Sequence, residues 1–300
     1  MLKILMTLLL IGNLIYAGGK TGFGFLNIGV DARIISLGDA GVALQNGNQG
    51  TYYNPSSISS LTKPAIVFTY KNWMVDGKFF HTSFGIPWKL FNIGFSLTSF
   101  TISNIEIRNK PGNSEGKFSS RDFAFAFTIS PNVKSDLKFG LTTKYVFEKI
   151  FVDEFWDIAF DIGLSYKYKI EDLKLEIITG ASLRNLDVGG VFKQNGSNLP
   201  TIGALGASIF YTPFGSDGVK LLFCGELKHR FYEHLNSAGF GLSVDFGTFS
   251  LNSGYELGAQ SKSIGFGFGV NLNRISLNYA FSPFEFDFPN SHTFTIVFRL

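Results

Sequence analysis

From about Ala65 to Leu300 apolar and polar side chains alternate with a period of two, the pattern that sends successive residues to opposite faces of a β-sheet. Phe123, Phe125, Phe127 and Ile129 share one face, with Ala124, Ala126 and Thr128 on the other. Between Leu137 and Glu148 the apolar face carries Leu137, Phe139, Leu141, Tyr145 and Phe147. Opposite them stand Lys138, Gly140, Thr142, Lys144 and Glu148. The split recurs at Ile158, Phe160, Ile162 and Leu164 against Asp157, Ala159, Asp161 and Gly163, and again in the closing run Phe294, Ile296, Phe298. Such segments number about 14, each around 9 to 14 residues, the length at which a tilted strand crosses the hydrocarbon layer.

The connections have a pattern of their own. Those after even-numbered strands are short: Trp88 to Leu90, Pro131 to Ser135, Lys169 to Asp172, Pro213 to Asp217, Gly247 and Leu272-Asn273. Those after odd-numbered strands include the longer stretches Asn104 to Phe118, Asp187 to Asn198 and Ser282 to Asn290. Short turns on one rim and longer loops on the other, with an even strand count, predict an all-β fold: a transmembrane antiparallel β-barrel of a bacterial outer membrane. A soluble β-sandwich also alternates, but its polar faces meet water and carry more charge. Here only 16% of residues are charged, against about a quarter in ordinary soluble chains. A closed barrel can turn its apolar face to lipid because no backbone group is left unpaired.

Composition agrees with strands: 34 Phe, 34 Gly and 45% apolar residues. The net charge of +3 is too small and too scattered to argue for nucleic acid, and it identifies no partner; the barrel reading makes outer-membrane lipid the expected surroundings. Met1-Leu2-Lys3, the apolar run Ile4 to Ile15 and Tyr16-Ala17-Gly18-Gly19 read as a signal peptide over residues 1–17. Its run of about 12 residues is short of the ~20 that a membrane helix needs. The single cysteine, Cys224, allows no internal disulfide.

Candidate chemistry is sparse. Gly265-Phe266-Gly267-Phe268-Gly269 has dinucleotide-loop spacing, but its glycines share a strand face and no helix follows. His81, His229, His234 and His292 lack metal-ligand spacing, and no Gly-x-Ser-x-Gly elbow is present. No enzyme activity, cofactor or metal is expected.

Residues 18–64, ahead of the barrel at 65–300, do not alternate. Their Gly, Ala and Ser content and the bend-forming Asn54-Pro55 suit a compact segment inside a polar lumen. Within it, Phe25-Leu26, Ile28-Gly29, Ala32-Arg33, Leu37-Gly38-Asp39-Ala40 and Tyr53-Asn54-Pro55-Ser56-Ser57-Ile58 resemble the N-terminal signature of the PorV/PorQ-type outer-membrane proteins, relatives of the FadL-type hydrophobic-compound channels. Gly140 to Tyr145, Ala181 to Leu186 and Ser291 to Ile296 are similar to later segments of that family. The resemblance implies a 14-stranded barrel with Phe25 to Ile58 as an N-terminal hatch in the lumen, containing Phe25, Leu26, Gly29, Asp31, Arg33, Gly38, Asp39, Asn54 and Pro55.

Asp31, Arg33 and Asp39 are expected to form a charged cluster with lumen-facing Lys138, Lys144, Asp157, Asp161 or Glu226, since buried charges must be paired. The resemblance implies a PorV-like role in type IX-like protein secretion, with exported cargo proteins or other secretion components as partners. The alternatives are FadL-like transport of a hydrophobic small-molecule ligand and a structural barrel that transports nothing.

Overall fold

The computed structural model describes residues 21–74, 76–108, 110, 112–187, 198–213, 218–258, 264–284 and 289–300. The signal-peptide reading and the greater part of the Asp187 to Asn198 loop lie outside them.

Fourteen antiparallel strands close into one barrel in simple up-and-down order, with the first strand paired to the last. They are β1 (Ala65–Asn72), β2 (Lys78–Pro87), β3 (Phe91–Ile107), β4 (Gly116–Pro131), β5 (Leu137–Ile150), β6 (Asp153–Ile170) and β7 (Leu175–Asp187). There follow β8 (Ile202–Tyr211), β9 (Lys220–Arg230), β10 (Leu235–Asp245), β11 (Phe249–Leu257), β12 (Ile264–Leu272), β13 (Ile275–Ser282) and β14 (Ser291–Arg299). Closure removes both sheet edges, which is what lets strands cross a bilayer. No helix among the described residues is long and apolar enough to cross.

The apolar faces point outward. Phe68, Phe95, Phe125, Leu141, Leu164, Phe223, Phe240, Phe266 and Phe294 are all exposed, whereas Thr69, Thr98, Thr142, Lys144, Asp161, Glu226, Asn252 and Thr295 are buried in the lumen. A soluble protein inverts this order, so the exposed rings mark the wall that meets lipid. Ala65 pairs with Arg299, which puts both barrel ends on the rim of short turns, the periplasmic rim.

One expected loop is shorter than the sequence suggests. β3 continues to Ile107 and β4 begins at Gly116, so the connection after β3 is about half of the expected Asn104 to Phe118. The pairing slips between Ile102 and Ile105, where Asn104 has φ 61°. Such a bulge breaks the period of two without ending the strand.

The N-terminal segment contains a short helix α1 (Ala32–Ser36) and 3-10 turns at Gly24–Asn27, Gly47–Gln49 and Pro55–Ser60. Asp31 caps α1, accepting the Ile34 backbone N–H at 3.0 Å. Asn54 opens the last turn by accepting the Ser56 N–H.

Candidate functional site

The segment from Thr21 to Leu61 is buried against the inner faces of the strands. At the loop rim the Phe23 N–H donates to Glu148 Oε2 (2.6 Å), and Thr21 and Asn27 both donate to Glu233 Oε1. Midway, Lys71 Nζ donates to the Gly29 carbonyl (2.6 Å), Ala32 N–H to Thr295 Oγ1, and Val42 N–H to Glu226 Oε2 (2.7 Å). At the periplasmic rim Asn48 Nδ2 donates to the Ala65 and Ser83 carbonyls, and Asn92 Nδ2 to the Ile58 carbonyl. Residues 21 to 61 thus run through the lumen from one rim to the other.

Small wall residues make room for this backbone. A Cβ on Gly140 would lie 2.3 Å from the Pro55 carbonyl carbon, and one on Gly254 2.0 Å from the Gly38 nitrogen. Gly265 and Gly267 face Ile35 and Ser36 in the same way, which accounts for glycines on one face of β12. Apolar residues of the segment, Phe23, Phe25, Leu26, Val30 and Tyr53 among them, pack in one cluster with Phe79, Val146 and Leu222 of the wall.

Two ion-pair networks occupy the middle of the lumen. Lys228 Nζ lies 3.0 Å from both Asp39 Oδ2 and Glu256 Oε1, and the Tyr53 hydroxyl donates to Asp39 Oδ1. Lys144 Nζ lies 2.7 Å from Asp161 Oδ2 and donates to Asn185 Oδ1. Above this second network the Arg184 guanidinium stacks on Tyr52 and Tyr53 and donates to the Tyr52 carbonyl. Each buried charge here meets an opposite charge or a carbonyl, as desolvation requires.

The single cluster expected around Asp31, Arg33 and Asp39 therefore divides. Asp31 is occupied as the cap of α1 and accepts from Gln49 Nε2, Asp39 joins Lys228, and Arg33 faces the periplasmic mouth. Of the expected lumen charges, Lys144, Asp161, Asp157 and Glu226 are buried. Lys138 is not: as the second residue of β5 it reaches the rim, and its amine donates to the Val133 carbonyl of the adjacent turn. Sequence reading missed Lys228, Glu256, Arg184, Tyr52 and Lys71. Lys228 had a signal, since it follows Glu226 by two and so shares its inward face.

A groove of about 760 Å³ lies elsewhere, in the outer face of the wall across β6 to β11. Leu164, Leu183, Leu205, Leu227 and Leu257 flank a floor that includes Ala181, Gly203 and Ala238. Polar side chains at its loop-side end, His229 and Asn236, bond to each other at 2.7 Å.

No family model and no curated protein matches the chain. Solved structures do. The CymD monoaromatic hydrocarbon channel matches with a TM-score of 0.56 at 12% identity, over 91% of this chain and 98% of that one. The Ralstonia pickettii toluene transporter TbuX matches with a TM-score of 0.58 at 10% identity, over 91% and 98%. The Pseudomonas putida toluene transporter TodX gives 0.55 at 12% identity, over 90% and 96%. At such identities the likeness establishes the fold alone: a closed antiparallel barrel of the outer-membrane type.

Proposed function

We propose that this protein carries small apolar molecules across the outer membrane, with the N-terminal segment as the hatch of the lumen. The observation that carries this reading is the 760 Å³ groove with leucine sides and an Ala and Gly floor, of the size that takes a small ligand. It opens on the lipid-facing wall, where apolar compounds partition. The neighbouring hydrocarbon channels support the same ligand class, and they favour small-molecule transport over the protein export that the PorV/PorQ resemblance implies.

The test is uptake of radiolabelled toluene by cells that express the protein in an outer membrane depleted of other channels. Entry several-fold faster than in empty-vector cells is expected, and Ala181→Trp and Ala238→Trp, which fill the groove floor, reduce it. Equal entry with and without the protein would end the reading.

A further inference from the structure

A second cavity, of about 290 Å³, opens at the periplasmic mouth between the N-terminal segment and the ends of β1 and β14. Its lining differs in kind from that of the outer groove. Arg33, Lys63 and Arg299 contribute three cations, and the rest includes the amides of Gln45, Asn46 and Asn48 and the hydroxyls of Ser60 and Thr62. No acid is among the lining residues.

Arg33 is the centre of this arrangement. It belongs to none of the lumen ion pairs, and its Nε is buried with no hydrogen-bond partner among the described residues. Asn46 Nδ2, also in the lining, is likewise buried and unpartnered. Asp31, two residues before Arg33, already accepts from Ile34 N–H and Gln49 Nε2. Arg299 lines the same cavity, and its guanidinium donates to a neutral group, the Ser276 hydroxyl at 2.7 Å.

Of the two guanidinium groups that line this cavity, Arg33 carries a buried donor that an anion would satisfy, and no lining residue supplies a carboxylate. Their forked donors match the oxygens of phosphate and carboxylate groups. The amide and hydroxyl lining supplies further donors to such an oxyanion.

We propose that the periplasmic mouth is a binding site for a hydrophilic oxyanion, held by Arg33 and Arg299 with Lys63 and the Asn46 amide in support. The site is independent of the transport reading, because it faces the periplasm and shares no residue with the outer groove.

Calorimetric titration of the purified full-length protein in an uncharged detergent, with inorganic phosphate and separately with citrate, tests it. Saturable binding of at least one probe is expected. Arg33→Gln and Arg299→Gln should each weaken it at least tenfold, while Arg33→Lys recovers part of the loss. Heat-modifiable mobility on gels checks that each variant is folded.

Native mass spectrometry of protein extracted from membranes identifies the source. A retained anionic phospholipid that Arg33→Gln/Arg299→Gln loses assigns the oxyanion to a lipid headgroup, and its absence beside phosphate or citrate binding assigns it to a soluble ligand. No saturable binding of either probe together with no retained phospholipid, or equal binding by wild type and folded glutamine variants, would overturn the proposal.

Discussion

Gly38 and Asp39 turn the N-terminal segment with φ of 69° and 57°, in the left-handed region that side chains beyond glycine adopt at a cost. At Gly38 the cost is compounded by space, because a Cβ would lie 2.6 Å from the backbone oxygens of both Phe240 and Tyr255. Gly38→Ala is expected to destabilise the barrel by about 1–3 kcal/mol, read as a lower urea midpoint in phospholipid vesicles. The same turn delivers Asp39 to Lys228. Lys228→Met leaves the buried Glu256 and the half-buried Asp39 without this cation, and removing one partner of a buried pair costs about 3–5 kcal/mol. Its urea midpoint should therefore fall further than that of Gly38→Ala. Sequence could place Asp39, Glu226 and Lys144 on inward faces. It could not say which charges meet, because Lys228 and Asp39 stand 189 positions apart and join only through the path of the segment.

At the scale of elements, alternation made the strands legible because lipid on one face and a polar lumen on the other enforce it at every second residue. Phe125 is exposed near the middle of β4. Phe125→Arg should cost ~2–4 kcal/mol in the same unfolding measurement, whereas the wall tolerates Phe125→Leu. The loop after β3 was misjudged for the converse reason, since the bulge at Asn104 shifts the faces while hydrogen bonding continues. The N-terminal segment has no such periodicity, and its fit to the wall depends on contacts that only the closed barrel creates. One of those contacts offers a lock: the Ser56 and Ser165 hydroxyls lie 2.9 Å apart across the segment and β6. With Cys224 replaced by Ser, Ser56→Cys/Ser165→Cys should form a disulfide on oxidation and abolish toluene entry, with recovery after reduction. Unchanged entry through the oxidised protein would show that this part of the segment need not move.

For the whole molecule, the even strand count and the inequality of the two rims were readable from the chain, and the barrel has 14 strands with its first and last paired. The route of the segment was not readable, because nothing local distinguishes a plug that enters and returns from one that passes through. Gly24 is exposed, flanked by the Phe23 to Glu148 and Asn27 to Glu233 bonds of the loop rim, while Thr62 is exposed at the opposite rim. In a Cys224→Ser background, Gly24→Cys should react in intact cells with a maleimide too large to cross the outer membrane. Thr62→Cys should react only after the membrane is broken.

The seam between β1 and β14 has a further consequence. Ala65 and Arg299 meet there, and Leu300 N–H donates to the Pro64 carbonyl. The wall is a ring that fastens around a cord already attached to its first strand. Once the seam is fastened, the bulky residues Tyr52, Tyr53 and Ile58 can leave only through a mouth. A cord that is not laid along the glycine-lined faces before the ring shuts must instead be threaded in through a mouth.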